Sequence, residues 1–146
     1  MSSSAGLPIV QMKRIESFSA AHRLHNPNLS SEKNVEIFGK CNNLKGHGHN
    51  YRVEVVLKGP VHPESGMVYD LVDLKRCIQN VMDQLDHKHL DEDVPYFKNV
   101  ISTTENVTIF IWNEVQKNLE QPQLLYEVTV HETEKNVFTF RGETSS

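Results

Sequence analysis

The stretch Cys41-Asn42-Asn43-Leu44-Lys45-Gly46-His47-Gly48-His49-Asn50-Tyr51 carries a thiol and two imidazoles, and it opens an alternating apolar run through Val53, Val55 and Leu57. Side chains two apart on a strand share a face. His47 and His49 are therefore expected beside Tyr51, Val53, Val55 and Leu57, where both can reach one metal ion. Gly46 and Gly48 leave room for backbone, metal or substrate to approach. Imidazole nitrogen and thiolate sulfur both suit zinc.

Upstream, residues 10–22 read as a strand. Phe18, Ala20 and His22 share one parity and Ile15 the other, so a β-bulge near Glu16 and Ser17 is expected to reconcile them. This register carries His22 on the Phe18 face at the strand end. Residues 24–40 form a polar connection, with a turn at Asn26-Pro27-Asn28 and a short helical start at Ser30-Ser31-Glu32. A connection of this length points to a functional loop.

Downstream, residues 50–58 complete the second strand, and a turn follows over residues 62–67. Asp70 reads as the N-cap of a helix whose stripe is Leu71, Leu74, Cys77, Ile78, Val81 and Leu85. Cys77 lies in that stripe and is read as core. Ser102-Thr103-Thr104-Glu105 fits a capping box with Ser102 as cap, opening a second helix through Val107, Phe110, Ile111, Val115 and Leu119. Residues 124–132 and 136–141 read as a hairpin around Thr133-Glu134-Lys135. The order strand, strand, helix, helix, strand, strand predicts an α+β domain: a four-stranded antiparallel sheet with two helices on one face. Residues 1–9 read as a disordered tail, 10–142 as the domain and 143–146 as a second tail. The uncovered sheet face and free edges favour oligomerisation.

The 146 residues suffice for one domain with a core. A net charge of −4 without a Lys/Arg cluster argues against nucleic-acid capture. No apolar run is long enough for a membrane span, and two cysteines make no disulfide framework, so a reducing, cytoplasmic setting is expected.

Three imidazoles, His22, His47 and His49, make a ligand set that leaves a fourth position open, as in catalytic zinc sites. The alternative is a closed structural site with Cys41 as fourth ligand. In the open reading Cys41 is free to act as base or nucleophile, and Asp86-His87 is a candidate supplier of a charged imidazole. An orienting contact between adjacent Asp and His side chains requires an irregular backbone after the helix. His89 competes with His87, and a plain charge pair at a helix end is the bland alternative. Glu132 continues the face of Leu124, Tyr126, Val128 and Val130. A carboxylate there either recognises two parallel N–H donors of a cyclic amidine or marks where the strand leaves the core. His131 is read as a surface residue, and His25 and His62 as solvated turn histidines.

These motifs together resemble the 6-pyruvoyl tetrahydropterin synthase family. The resemblance runs from Ile15 to Gly142 and is carried by Phe18-Ser19-Ala20-Ala21-His22-Arg23, Phe38-Gly39-Lys40-Cys41-Asn42-Asn43, Gly46-His47-Gly48-His49-Asn50-Tyr51, Leu85-Asp86-His87-Lys88, Ser102-Thr103-Thr104-Glu105-Asn106 and Val130-His131-Glu132-Thr133. It implies the tunnelling fold, in which sheets of three subunits join into a barrel and two trimers stack into a homohexamer. It implies one zinc per subunit on His22, His47 and His49, Cys41 as general base, and Asp86 with His87 completing its set between subunits. Glu132 is implied as pterin anchor, supported by Thr103, Thr104 and Glu105. The implied substrate is 7,8-dihydroneopterin triphosphate, converted to 6-pyruvoyl-tetrahydropterin with loss of triphosphate on the way to tetrahydrobiopterin, with magnesium as a partner of the triphosphate. Two departures lie outside the motifs: an extra residue at Glu16–Ser17 and a shortened stretch at residues 80–84. The alternatives are the related 6-carboxy-tetrahydropterin synthases of the queuosine pathway and a non-enzymatic zinc- or pterin-binding module.

Overall fold

The computed structural model describes residues 6–146. Residues 1–5 of the expected tail lie outside the described residues, while Pro8 already accepts a hydrogen bond from the Val61 N–H (2.9 Å). Strand β1 spans Ile9–His22, helix α1 Ser31–Phe38, strand β2 His47–Pro60 and helix α2 Leu71–Leu85. A two-residue strand β3, Lys88–His89, leads into the single turn α3, Leu90–Asp93. Helix α4 covers Thr104–Asn118, and the hairpin consists of β4, Leu125–His131, and β5, Val137–Phe140.

The strands lie in the order β3-β1-β2-β4-β5. The four long strands pair antiparallel as expected, but β3 adds a fifth, parallel to β1 through Ala20–Lys88 and Ala21–His89. Two residues are too few to show a period in the sequence, so this strand read as the ragged end of α2.

Pairing of β1 with β2 runs without a break from Ile9 opposite Pro60 to His22 opposite His47. The expected bulge at Glu16–Ser17 is absent. Ile15 is instead 47% exposed, on the face turned away from the helices. The register irregularity occurs elsewhere, between Val56 and Leu57 where β2 meets β4. The uninterrupted ladder still delivers His22 to the Phe18 face, because parity is preserved from Phe18 onward.

Helices α2 and α4 cover one face of the sheet. Leu74, Ile78, Val81 and Leu85 of α2 and Val107, Ile111 and Val115 of α4 are buried against Val53, Val55 and Leu57 of β2 and Val128 and Val130 of β4. Asp70 caps α2 as expected, accepting from the Val72 and Asp73 N–H groups (2.9 and 3.1 Å). Cys77 is buried in the stripe, and burial pushes its thiol up to about 11, an inert core residue. The cap of α4 is Thr103 rather than Ser102: Thr103 Oγ1 accepts from the Asn106 N–H. Ser102 lies one residue too early, since α4 starts at Thr104, and its hydroxyl instead donates to Asp91 Oδ1 (2.7 Å). The long connection contains α1, capped by Ser30, and the buried Asn34 ties it to Asn26 and Ser30.

The other sheet face is charged. Glu54 meets Lys13 (2.8 Å), Arg52 (3.4 Å) and His131 (2.5 Å), and Arg141 meets Glu127 (2.8 Å). His131, expected as a solvated surface residue, is therefore locked in an ion-pair network with 18% of its side chain exposed. No helix among the described residues is long and apolar enough to cross a membrane.

Candidate active site

At the end of the β1–β2 ladder three imidazoles converge. His22 and His47 are direct cross-strand partners, and His49 stands two residues further along β2, opposite Ala20. Ring centroids lie 4.6 Å (His22–His47), 4.9 Å (His47–His49) and 5.3 Å (His22–His49) apart. One nitrogen from each ring falls within 4.8 Å of the other two. Gly46 makes the close approach possible. A Cβ at Gly46, which has φ +76°, would meet the His22 carbonyl oxygen at 2.7 Å, and one at Gly48 would touch the Ala20 oxygen at 3.5 Å.

His22 is buried, and its Nδ1 lies 2.6 Å from the Ser102 carbonyl oxygen. A carbonyl only accepts, so Nδ1 carries the proton and the neutral ring presents the Nε2 lone pair. That Nε2, and the Nε2 of His49, are buried without a partner. Burial holds both rings below the usual imidazole range; the Ser102 carbonyl opposes this at His22, and the Glu132 carboxylate opposes it at both. His22 presents a buried, unmet Nε2 lone pair, and the buried Nε2 of His49 also lacks a partner among the described residues; with His47 they converge on one point, an arrangement that suits a borderline-soft metal ion. The donor set fits zinc. Cys41 is not in the convergent group.

Asp86 and His87 sit where α2 ends. His87 is the only non-glycine residue with positive φ among the described residues (φ 60°), which supplies the irregular backbone that an Asp-His contact needs. Asp86 Oδ2 lies 3.0 Å from His87 Nδ1. Asp86 Oδ1 accepts from the Ser19 N–H (2.9 Å), while the His87 N–H donates to the Ser19 oxygen (2.6 Å). The Ser19 N–H foremost, with His87 beside it, holds the Asp86 carboxyl below its ordinary value. His87 keeps 85% of its side chain exposed. It shares an open hollow of about 380 Å³ with Ser19, Gly48, His49 and Asn50. His89 is turned inward, with Nδ1 buried and 4.0 Å from Asp91 Oδ2. The larger cavity, about 510 Å³ near Pro60, Tyr69 and Leu124, holds none of these groups.

Glu132 follows β4, its N–H donating to the Asn136 oxygen (3.0 Å), and one carboxylate oxygen accepts a short hydrogen bond from Thr104 Oγ1. Thr103 spends its hydroxyl on capping, and Glu105 is exposed in the first turn of α4. Cys41 lies on the 3₁₀ turn Gly39–Asn42, a half-buried free thiol whose carbonyl accepts from the Leu24 N–H (2.8 Å). No hydrogen bond joins it to Asp86 or His87 among the described residues. His25, expected as a solvated turn residue, instead has Nδ1 2.9 Å from Asn42 Nδ2 and helps hold this turn. Sequence reading passed over Asp91 and the Tyr51 hydroxyl. The latter is buried and unpartnered, and burial above all, with Glu132 and Asp91 nearby, raises its pKa far above the usual phenol range.

The profile of the 6-pyruvoyl tetrahydropterin synthase family matches residues 11–143. This chain belongs to that family. The 6-pyruvoyl tetrahydrobiopterin synthase of Poecilia reticulata is 53% identical over 98% of this chain and 100% of its own length. The Homo sapiens protein of the same name is 52% identical over 91% of this chain and 92% of its own. The solved 6-pyruvoyl tetrahydropterin synthase of Caenorhabditis elegans superposes with a TM-score of 0.92 at 52% identity, covering 94% of this chain and 98% of that one. Nearly the whole fold of this chain is thus shared with a synthase of the family.

Proposed function

We propose that this chain is the zinc-dependent lyase that converts 7,8-dihydroneopterin triphosphate to 6-pyruvoyl-tetrahydropterin and triphosphate. Family membership makes it an enzyme of tetrahydrobiopterin synthesis. The observation that carries the finer reading is the trio His22, His47 and His49, with two Nε2 atoms buried and unpartnered. Zinc bound there supplies a Lewis acid that polarises a side-chain oxygen of the substrate and acidifies the neighbouring C–H bond.

The protein groups divide the remaining work. Glu132, oriented by Thr104, accepts hydrogen bonds from the amino and ring N–H groups of the pterin and fixes its register. Cys41 takes a side-chain proton as thiolate. Asp86 orients His87 through their 3.0 Å contact, so that the imidazole can hold and return a proton. Oxidation of the substrate side chain is matched by reduction of its ring, so no external redox cofactor enters. Magnesium is a fitting partner for the substrate's triphosphate.

Cys41 and the Asp86–His87 pair are not bonded within one subunit, which supports sites completed by a neighbouring copy in a hexamer of two stacked trimers. Among the described residues the outer edge of β1 from Ile9 to Ser19 has no strand partner, since β3 pairs only Ala20 and Ala21. Such an edge favours assembly. Incubation with 7,8-dihydroneopterin triphosphate, with and without zinc chelation, tests the reading: triphosphate release and a 6-pyruvoyl product by mass are expected only with zinc. A 6-carboxy product mass would assign the chain to the related carboxy enzymes instead, and binding without triphosphate release to a non-enzymatic module.

A further inference from the structure

Asp91 is not among the residues expected to serve the site, yet it holds two groups beside the metal ligand, with a third ring near it. Oδ1 accepts from the Ser102 hydroxyl (2.7 Å), Oδ2 accepts from the Arg23 N–H (2.6 Å), and the His89 ring lies 4.0 Å from Oδ2. Ser102 is fully buried and turns its carbonyl to His22 Nδ1 at 2.6 Å. Arg23 is the residue immediately after His22 in the chain. One carboxylate therefore grips the backbone on the C-terminal side of His22 and, through Ser102, the group that fixes the His22 ring.

We infer that Asp91 is the positioning residue of the metal centre, acting through Ser102 to hold His22 with Nδ1 protonated and Nε2 turned toward the ion. The physical reason is directional. A strand holds the Cα of His22 in place but leaves its ring free to rotate about χ1 and χ2. The carbonyl of Ser102 removes that freedom and selects the tautomer, but Ser102 belongs to an irregular segment just before the cap of α4. Residues 101–103 have no ladder of their own. Asp91, at the start of α3, supplies the missing tether across 11 residues of chain. Partners of this kind, one bond removed from a ligand, are worth about 10–100-fold in metal affinity.

The inference rests on the zinc reading above, and its test separates the two. Zinc affinity of metal-free protein is measured by competition with a chromophoric chelator for wild type, Asp91→Ala, Asp91→Asn and Ser102→Ala. Expected are a 10–100-fold weakening in Asp91→Ala, a smaller loss in Asp91→Asn, which keeps one acceptor oxygen, and a loss in Ser102→Ala, which keeps the carbonyl but frees it. Asp73→Asn, at a half-exposed carboxylate on α2, stays at wild-type affinity. The His22 tautomer, read from ring 15N shifts of the metal-free protein, needs no zinc. Wild type is expected to show Nδ1–H alone, and both Asp91→Ala and Ser102→Ala a mixture. Wild type that binds no zinc would remove the zinc reading and leave the tautomer result to decide the tether. A lowered melting temperature with zinc affinity within twofold of wild type and an unmixed tautomer would reduce Asp91 to a structural residue and overturn the inference. If Asp91→Ala does not fold, Asp91→Asn and Ser102→Ala decide by the same two readouts.

Discussion

His22, His47 and His49 on the helix-covered face and His131 on the charged face belong to the same set of strands, but their surroundings are opposite in kind. Around His131 every charge is answered: Glu54 faces Lys13, Arg52 and His131 itself. In the trio, Ser102 answers one nitrogen of His22, and the Nε2 atoms of His22 and His49 face no partner. A buried polar atom left unpaired costs about 1–3 kcal/mol, so a fold that keeps two of them side by side keeps them for a ligand. Histidine content alone says nothing of this. Unmet lone pairs do.

The contrast breaks most visibly at the metal. His49→Ala is expected to lose zinc and activity together, while His131→Ala, the same change on the opposite face, retains zinc at one per subunit; metal analysis of both purified variants checks it. Within the trio's own neighbourhood, Cys41→Ala should keep its zinc and bind a pterin analogue normally while turnover falls by about 10²–10⁴-fold, the usual contribution of a general base. Zinc loss in that variant would restore the four-ligand structural site. Glu132→Gln sharpens the division from the other side: pterin binding weakens by roughly 2–4 kcal/mol with zinc content unchanged, because one acceptor becomes a donor and the charge is lost. Equilibrium binding that matches wild type would make Glu132 no more than the solvated end of its strand.

Acid should separate the two faces as well. Burial holds His22 and His49 below their ordinary value of 6.5, so the unfolded chain takes up protons there first. Stability of the metal-free protein is therefore full above about pH 6.5 and falls as pH drops through the lower folded values. Glu54 is held below 4.5 first by its bond to Lys13, and its contribution is lost only as pH falls below that range. Denaturant unfolding between pH 8 and 4 checks the order; a decline confined to below pH 4.5 would place the acid-labile groups on the wrong face. The smallest effect belongs to Glu54→Gln, roughly 1 kcal/mol of stability with activity retained, since its partners Lys13 and Arg52 are about half solvated.

Much of this was legible in the residues. The odd-numbered run from His47 to Leu57 fixes which face of β2 is buried, and parity carried His22 to the same face. The stripe of α2 and its Asp70 cap are equally local. What escaped the sequence depends on partners distant in the chain. Ser102, Thr103 and Thr104 can all cap a helix, and the choice of Thr103 rests on where α4 starts, with Ser102 turned instead to Asp91, 11 residues away. Ile15 suggested a bulge because an apolar side chain was assigned to the core, whereas it lies half exposed on the outer face. The contact of Asp86 with His87 turned on a single backbone angle that no side-chain pattern announces.

The clasp around Ser19 sets a length scale. Asp86 and His87 grip both backbone groups of a residue three positions before His22 on the same strand. At roughly 3.3 Å per residue, the Ser19 backbone held by Asp86 and His87 and the Cα of His22 are separated by about 10 Å of extended strand, which pairs with β2 throughout. A strand of that kind behaves as a ruler. Thermal motion can sway the whole end of the sheet, but the paired backbone between Ser19 and His22 keeps its length.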